Sequence, residues 1–312
     1  MSQIVVVTPN PAIDITYEVP QPRLGEVHRV NDIVRRAGGK GLNVTAVLGQ
    51  LGLHSRVTGF LGGRGGKEMC DLLSGWDVDQ DWVDLGDTCP TRSSVAVRAK
   101  DGSVTVFNEA GPSVDGAAWE QLTQTVLAVL QAEDVLVVSG SCPPGTTTKD
   151  LAALLRSARE QGARTVLDTS GPLLVACAGL ADAVKPNREE LAQATGSNDL
   201  TTGAKALLEQ GAEAVVVSDG PRGMYLFTGG EAGGAWHADA PDVKVVNPTG
   251  AGDSAVAALT AALYRQPGGL TRDALKDAVA LSTAAVVTPV AGVVDMATYE
   301  RLHGLVTAEP VA

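Results

Sequence analysis

Short apolar runs alternate along the chain with stretches in which apolar residues recur at helical spacing. The uninterrupted runs, rich in valine and leucine, lie at 135–138, 165–167 and 214–217. Such runs are typical of strands that are buried on both faces. Helical spacing is found at 126–130, 151–159 and 204–208, and after Gly41 and Asp253. This alternation predicts a mostly parallel sheet covered by helices on both sides.

Two segments depart from the alternation and predict a separate small sheet. Within residues 12–36, apolar and polar residues alternate from Ile13 to Val19. Within residues 91–108, alternating apolar residues flank Asp101-Gly102, a pair that is typical of a hairpin turn. Half-buried strands inserted into an α/β core indicate a lid over the carboxyl ends of the core strands.

Composition narrows the classes of function. The 312 residues are 44% hydrophobic and 19% charged, and 36 acidic against 24 basic residues give a net charge of −12. This acidity and an aromatic content of only 4% disfavour nucleic-acid binding. No apolar run approaches the roughly 18 residues that span a bilayer, and the N-terminus lacks a signal-peptide pattern. We therefore expect a cytoplasmic protein that binds neither nucleic acid nor membrane.

The four cysteines are far apart in the sequence and form no CxxC pair; they are Cys70, Cys89, Cys142 and Cys177. Spacing of this kind argues against a structural zinc site. We expect four free thiols in a reducing compartment.

Two glycine-containing segments precede predicted helices. The segment 37–43 (AGGKGLN) is either a flexible connection with a solvated Lys40 or an anion site at a helix start. The segment 247–253 (NPTGAGD) can expose consecutive backbone N–H groups able to hold a transferring phosphoryl group. Asp253 would then point a carboxylate into the same place, although an aspartate in a first turn is also a common helix cap.

Two further segments follow predicted strands. In residues 185–190 (KPNREE), Asn187 and Glu190 are three apart and share one face if a helix begins there. That pair suits a hydrated Mg²⁺ with its phosphates, or is an ordinary polar helix start. The segment 218–223 (SDGPRG) is either a β-turn or a loop that contacts nucleotide phosphates.

Familiar nucleotide-binding and hydrolase motifs are absent from the sequence. The segment 62–67 (GGRGGK) is not a P-loop, because Leu61 occupies the position of the leading glycine and Glu68 that of the Mg²⁺-binding hydroxyl. The first strand continues into TPNP rather than GxGxxG, and there is neither a GxSxG nor an HExxH motif. The class of reaction that these absences leave open is phosphoryl transfer by a protein without a Walker motif.

Taken together and in this order, the four segments resemble the PfkB family of carbohydrate kinases, which is related to ribokinase. Residues 8–14 (TPNPAID) extend the resemblance to essentially the whole chain, and 247–253 is its most specific signature. Residues 8–14 and 25–30 (GEVHRV) are most similar to the branch of 1-phosphofructokinases and tagatose-6-phosphate kinases. Pro9 departs from the commoner Thr-Leu-Asn-Pro and leaves Asp14 in register.

The resemblance implies a three-layer α/β/α ribokinase-like core with a mostly parallel sheet, plus a small β-sheet lid. The core would comprise residues 1–11, 37–90 and 109–312, and the lid residues 12–36 and 91–108. It further implies an enzyme that transfers the γ-phosphate of ATP, with Mg²⁺, to a sugar hydroxyl.

The resemblance also implies a role for each matching residue. Asp253 would be the general base, beside an anion hole formed by the backbone of Gly250, Ala251 and Gly252. The sugar phosphate would be bound by Asp14, Gly39, Lys40, Asn43, Arg92 and Ser139. The nucleotide would be bound by Lys185, Asn187, Glu190, Ser218, Gly220 and Gly223, with Mg²⁺ on Glu190 through water.

The expected substrate is a ketohexose phosphate. A chain of charge −12 that binds two anions needs local positive charge, for which Lys40, Arg29 and Arg92 are the candidates. Arg92 and Lys40 favour fructose 1-phosphate, converted to fructose 1,6-bisphosphate, over an uncharged sugar or a nucleoside. Tagatose 6-phosphate and fructose 6-phosphate are the alternatives. An inactive sugar-phosphate-binding regulator would lack the base or the anion hole, and both are intact in the sequence.

The lid also bears on assembly. A small sheet that exposes Ile13, Ile15, Val95 and Val97 would bury them against a second lid. We therefore expect a homodimer through the lids, with Arg35 and Arg36 at a solvated lid edge.

Overall fold

The computed structural model describes residues 3–230, 233–266 and 268–311. The strands are β1 (Ile4–Thr8), β2 (Ala12–Val19), β3 (Ile33–Gly38), β4 (Ser55–Leu61), β5 (Val78–Asp84), β6 (Arg92–Ala99), β7 (Val104–Asn108), β8 (Val135–Ser139), β9 (Arg164–Asp168), β10 (Ala183–Val184), β11 (Ala214–Ser218), β12 (Met224–Thr228), β13 (Ala235–Ala238) and β14 (Glu309–Pro310). The α-helices are α1 (Lys40–Gln50), α2 (Gly63–Leu73), α3 (Gly116–Val129), α4 (Thr148–Glu160), α5 (Gly171–Cys177), α6 (Arg188–Thr195), α7 (Leu200–Glu209), α8 (Ala251–Arg265), α9 (Arg272–Val286) and α10 (Met296–His303).

The main sheet has ten strands in the order β14-β13-β12-β11-β10-β9-β8-β1-β4-β5. From β11 to β5 all neighbouring strands are parallel, while β12, β13 and β14 extend the other edge antiparallel. The predicted apolar runs are β8, β9 and β11, which confirms the parallel sheet expected from them.

Two apolar cores flank this sheet, because successive residues of a strand point to opposite faces. Ile4 and Val6 pack on one side with residues of α1, α8, α9 and α10. Val5 and Val7 pack on the other side with residues of α3, α4, α5, α6 and α7. A strand between two helix layers must be apolar at every position, and this explains the uninterrupted runs in the sequence. The core is therefore the predicted three-layer α/β/α arrangement.

The second sheet has the strand order β3-β2-β6-β7, and we call it the lid. Strands β6 and β7 pair antiparallel around Asp101-Gly102, which confirms the predicted hairpin. By contrast, residues 20–32 form neither helix nor strand, although part of this segment was expected to be extended sheet.

The lid buries the apolar face that the sequence was expected to expose. Ile13 and Ile15 are buried at 1% and 7% exposure, against a cluster that includes Leu61, Met69 and Leu73. Val95 packs against the same cluster. The prediction that this face is free is therefore wrong, because the apolar side of α2 lies beneath the lid and covers it.

Within the described part of the chain, no helix is both long and apolar enough to cross a membrane.

Candidate active site

The carboxyl ends of the parallel strands meet the lid around a cavity of about 420 Å³. Parallel sheets bind ligands at this edge because the strand ends and the helix starts that follow them converge there. The residues that line the cavity include Asp14, Gly39, Lys40, Asn43, Arg92, Asp168, Lys185, Asn187, Glu190, Ser218, Gly250, Gly252 and Asp253. Most of the residues expected to bind substrates are thus brought together from distant parts of the chain.

Asp253 lies in the first turn of α8 and is 6% exposed. Its side chain does not cap the helix: the N-cap position is Gly250, which has a φ of 89° and no side-chain hydrogen bond. Instead, the Asn43 Nδ2 group donates a hydrogen bond to Asp253 Oδ2 at 2.7 Å. Burial raises the pKa of Asp253 to about 6, and the charge of Asp168 adds to this while Asn43 opposes it.

The N-terminus of α8 provides the surroundings of a transferring anion. The first N–H groups of any α-helix lack intrahelical acceptors and carry the positive end of the helix dipole. Gly250 adopts its left-handed conformation with the backbone of Ala291 only 3.0 Å from where a Cβ would stand. A bulkier residue would therefore disturb the turn at which α8 begins.

Asp168 at the end of β9 organises the positive charge of the site. Its carboxylate is 1% exposed and lies 3.5 Å from Lys40 Nζ and 3.6 Å from Lys185 Nζ. The Ser139 hydroxyl donates to Asp168 Oδ2 at 3.0 Å. Sequence analysis missed this residue, although an aspartate that directly follows a buried strand was a usable signal.

Lys40 stays charged in spite of its position in the cavity. Burial by itself lowers the pKa of Lys40, but the carboxylates of Asp168, Glu190 and Asp253 outweigh it and raise the pKa above its usual value. The Lys40 side chain is 40% exposed, so its ammonium group can still meet a ligand.

Asn187 and Glu190 form a reciprocal cap at the start of α6. Asn187 Oδ1 accepts from the Glu190 N–H at 2.8 Å, and Glu190 Oε2 accepts from the Asn187 N–H at 2.9 Å. The other oxygen, Glu190 Oε1, lies 3.6 Å from Lys40 Nζ in the cavity. Both interpretations of this segment therefore apply at once: Asn187 and Glu190 cap the helix, and the same pair is placed where phosphates could be organised.

The donor set around Glu190 fits a hydrated Mg²⁺. Carboxylate oxygens are the ligands that this ion takes from proteins, usually one or two of them with several waters. Among the described residues, no group of three or more His, Cys, Asp or Glu side chains is arranged to hold a metal ion. An ion at Glu190 would accordingly complete its shell with water and phosphate oxygens.

A second cavity, of about 590 Å³, adjoins the first at Asn187, Ser218 and Gly252. Part of its wall is apolar and includes Val243, Val245, Val279 and Val286. Ser218, Gly220, Gly223 and Ala251 line it as well. Lys185, which was expected among them, lines the central cavity instead.

The loop beside this second cavity is tied to α6 by a buried carboxylate. Asp219 has a side chain only 2% exposed, and it accepts two hydrogen bonds at 2.6 Å from Arg188. Arg222 donates two more at 2.8 Å and 2.7 Å. Both arginines hold the pKa of Asp219 well below its usual range.

A third cavity, of about 240 Å³, shares Lys40, Arg92 and Glu190 with the central one. Its wall is rich in hydroxyl groups, contributed by Thr8, Ser139, Ser141, Thr169 and Ser170. The Thr8 hydroxyl is buried and has no hydrogen-bond partner among the described residues. This cavity therefore combines positive charge with unused hydrogen-bonding capacity.

Arg92 is the first residue of β6 and is fixed by two backbone carbonyls. Its Nε donates to the Asn10 carbonyl at 3.1 Å, and its Nη1 donates to the Glu109 carbonyl at 3.2 Å. Burial raises the pKa of Asp14 to about 6, although the charge of Arg92 counteracts this. Asp14 and Arg92 thus face the same space from two neighbouring lid strands.

The other arginines of the lid do not line the three cavities, although Arg36 stands opposite Asp14 across β2 and β3. Arg29, expected near the substrates, is exposed in the segment 20–32. Arg35 pairs with Glu68 of α2 through contacts of 2.5 Å and 2.8 Å. Local positive charge at the cavities therefore comes from Lys40, Lys185 and Arg92.

Comparison with known proteins identifies the family. The profile described as pfkB family carbohydrate kinase matches residues 5–294. This chain belongs to the pfkB family of carbohydrate kinases. It is therefore a phosphotransferase, as the resemblance of its four segments implied.

Two relatives of this kinase have names that describe sugar-phosphate kinases. The 1-phosphofructokinase of Haloferax volcanii is 37% identical over 295 residues, which cover 93% of this chain and 92% of the relative. The tagatose-6-phosphate kinase of Staphylococcus epidermidis is 34% identical over 273 residues, which cover 84% and 86%.

Solved structures confirm the fold of the kinase. Phosphofructokinase-2 from Escherichia coli in complex with potassium has a TM-score of 0.90 at 27% identity, covering 98% of this chain and 99% of the other. The same enzyme in complex with fructose-6-phosphate has a TM-score of 0.86 at 27% identity, with the same coverage. Ribokinase from Arabidopsis thaliana has a TM-score of 0.73 at 22% identity, covering 97% and 99%, and shares the fold.

Proposed function

We propose that this kinase transfers the γ-phosphate of ATP to the primary hydroxyl of a ketohexose phosphate, with fructose 1-phosphate as the preferred acceptor and fructose 1,6-bisphosphate as the product. The observation that carries the proposal is the separation of two charges across adjoining cavities. A buried carboxylate, Asp253, lies in the central cavity, and Lys40 and Arg92 border both this cavity and the hydroxyl-rich one. A substrate with a phosphate at one end and a hydroxyl at the other suits this arrangement.

In the proposed mechanism, Asp253 accepts the proton of the attacking hydroxyl. Asn43 orients the carboxylate through the 2.7 Å hydrogen bond. The backbone N–H groups of Gly250, Ala251 and Gly252 stabilise the charge of the transferring phosphoryl group, because they point along the helix dipole. Asn187 and Glu190 would hold Mg²⁺ through water, and this ion supplies charge neutralisation.

The proposed sugar-phosphate contacts follow from the same cavities. Asp14, Gly39 and Asn43 would bind the sugar, which the loop of Ser139 would face, and Arg92 and Lys40 would bind the phosphate it already carries. Guanidinium groups match phosphate oxygens with parallel hydrogen bonds, so Arg92 favours a phosphorylated sugar over a neutral one. On the nucleotide side, Ser218, Gly220 and Gly223 support binding of ATP in the second cavity, whose wall is partly apolar, while Lys185 would meet the phosphates from the central one.

A 6-phosphate is the second candidate acceptor. The enzyme from Escherichia coli was solved with fructose-6-phosphate, and one named relative is a tagatose-6-phosphate kinase. Each of these ketohexose phosphates has a primary hydroxyl at the end opposite its phosphate. The same pocket could therefore accept a 1-phosphate or a 6-phosphate in reversed orientation.

ATP turnover with Mg²⁺ should be measured against fructose 1-phosphate, fructose 6-phosphate, tagatose 6-phosphate and unphosphorylated fructose. We expect kcat/KM for fructose 1-phosphate to exceed the others by about tenfold or more, since the phosphate position determines which hydroxyl reaches Asp253. A preference for a 6-phosphate would be consistent with the same mechanism, with the sugar bound in the reversed orientation. A preference for free fructose would contradict the role of Arg92.

We further propose a homodimer through the lids, formed by the lid face opposite to the one that α2 covers. Residues side by side on paired strands share a face, and one such row joins Thr16, Val34, Ala96 and Val106. Val34 is 47% exposed and Val106 is 51% exposed. The next row joins Asp14, Ser94 and Asn108, all of which line the central cavity.

The four unpaired cysteines fit a reducing compartment such as the cytoplasm.

A further inference from the structure

The glycine-rich segment 62–67 has a structural use that its failed match to a P-loop left unexplained. It forms the start of α2 and lies against the segment 86–91 that leads into the lid. A Cβ on Gly62 would stand 2.2 Å from the Cys89 carbonyl oxygen, and a Cβ on Gly65 would stand 2.8 Å from the Thr91 carbonyl oxygen. The glycines are therefore required by the close approach of two backbone segments.

Thr91 and Gly62 are joined by a reciprocal pair of hydrogen bonds. The Thr91 N–H donates to the Gly62 carbonyl at 2.9 Å, and the Gly62 N–H donates to the Thr91 hydroxyl at 3.0 Å. Thr91 is only 8% exposed, so water does not replace these bonds readily. Two further backbone bonds, Leu85 N–H to Leu61 carbonyl and Gly63 N–H to Gly86 carbonyl, flank the pair at 2.7 Å and 3.1 Å.

This pair lies one peptide bond before Arg92. Arg92 is the first lid residue of β6 and stands opposite Ala12 in the sheet, so Thr91 is the point at which the chain passes from core to lid. The two carbonyls that hold the Arg92 guanidinium use two of its five N–H groups and leave three for a ligand. A displacement of the Thr91 backbone is transmitted to Arg92 with little loss, because one planar peptide unit separates them.

We propose that Thr91 is a positioning residue for the sugar phosphate: its reciprocal pairing with Gly62 fixes the start of β6 so that Arg92 presents its guanidinium to the phosphate monoester in the hydroxyl-rich cavity. This inference rests on the proposed role of Arg92 as a phosphate ligand. The hydroxyl of Thr91 is the necessary group, since a residue of the same shape without it leaves the buried Gly62 N–H unpaired.

The test compares Thr91→Val and Thr91→Ser, each made in the natural sequence and in an Arg92→Ala background. In the natural sequence we expect Thr91→Val to raise the KM for the sugar phosphate by about fivefold to tenfold, with the KM for ATP changed by less than about twofold. Thr91→Ser retains the acceptor oxygen and should stay within about twofold of the unaltered enzyme. In the Arg92→Ala background Thr91→Val should change the sugar-phosphate KM by less than about twofold, because the residue it positions is gone.

The outcomes separate this inference from the proposed function. If Arg92→Ala alone leaves the sugar-phosphate KM unchanged, the proposed phosphate contact is wrong. If Arg92→Ala raises that KM but Thr91→Val has an equal effect in both backgrounds, or no effect in the natural sequence, only the role of Thr91 is overturned. The same holds if Thr91→Val lowers kcat and leaves the KM unaltered.

A second variant serves if Thr91→Val does not fold. Gly65→Ala places a Cβ against the Thr91 carbonyl, whereas Gly49→Ala in α1 is a matched control: among the described residues, nothing beyond its own chain neighbours and helix backbone lies within 4 Å of the added Cβ. Both glycines are within helices, where alanine itself is favourable. We expect Gly65→Ala to raise the sugar-phosphate KM by about fivefold and Gly49→Ala to leave it unchanged. Equal KM values for the two variants would overturn the proposal.

Discussion

At the scale of single residues, the site depends on carboxylates whose charges are controlled by their surroundings. Asp253 and Asp14 both have pKa values raised to about 6 by burial. Asp168 holds Lys40 and Lys185 on either side of itself. An acidic protein can act on anionic substrates because these buried charges are paired locally. The remaining negative charge is distributed over the surface.

Replacement of the proposed base should separate chemistry from binding. We expect Asp253→Asn to lower kcat by about 10²–10⁴ while the affinity for ATP changes little, since asparagine keeps the shape but cannot accept the proton. Steady-state kinetics together with ATP titration of the variant measure the two effects. Near-normal turnover would show that another group takes the proton.

The pH dependence of kcat/KM should reflect the ionisation of the Asp253 carboxylate. Asp253 must be ionised to act as a base, so kcat/KM for the sugar phosphate should fall as the pH drops through about 6. Asp14 has a similar pKa, and Asp14→Asn is therefore the control for its contribution. We expect the acid limb to persist in Asp14→Asn with a lower overall rate. Loss of the limb in that variant would assign it to Asp14.

At the scale of elements, the start of α6 and the loop after β11 are joined into one unit beside the second cavity, where the nucleotide is proposed to bind. The cap between Asn187 and Glu190 fixes the first turn of α6, and a backbone bridge joins Asn187 to Ser218. Asp219 then links this helix to the loop through Arg188 and Arg222. These ends are thus held together partly by Asn187 and Glu190, which line the central cavity, and partly by Asp219 and its two arginines, which line neither the central nor the second cavity.

Loss of the Asp219 carboxylate charge should weaken the binding of ATP and leave the binding of the sugar phosphate almost unchanged. Asparagine cannot accept charge-assisted hydrogen bonds from two arginines at once. We expect Asp219→Asn to raise the KM for ATP by about fivefold or more and to change the sugar-phosphate KM by less than about twofold. Asp115→Asn is a matched control, because Asp115 caps α3 and asparagine is an equally good cap. Equal changes in both KM values would show a general loss of structure instead.

At the scale of the whole molecule, the lid has one face packed on the core and one exposed face. One face is packed on α2, whose Met69 and Leu73 are fully buried. The other face carries Val34 and Val106 next to the row that contains Asp14. Assembly through this second face would lie beside the sugar site.

A charge on the exposed lid face should prevent the proposed dimer. We expect the natural sequence to have twice the chain mass by light scattering at micromolar concentration, and Val106→Glu to have the mass of one chain, because a buried unpaired carboxylate is strongly unfavourable. Leu305→Glu is the control, since Leu305 is 66% exposed and lies after α10. A monomeric natural protein would contradict assembly through the lid.

Much of the architecture was predictable from local pattern. The runs at 135–138 and 214–217 predicted buried strands correctly because a strand between two helix layers is apolar at every position. Asp101-Gly102 predicted the hairpin correctly because few other residues adopt that turn. The ordered series of motifs predicted the family for a similar reason: each motif needs particular residue types at a fixed spacing.

The layers, the hairpin of the lid and most of the polar residues at the strand ends follow from local sequence pattern, whereas Asp168 does not. Which lid face is buried depends on tertiary packing, since alternation marks two faces without identifying what covers either, and α2 comes from a distant segment. Tertiary packing likewise decided that Asp253 meets Asn43 rather than capping α8, and that Asp168 joins Lys40 to Lys185. Contacts between residues far apart in the chain depend on how elements pack, and no local pattern records that packing.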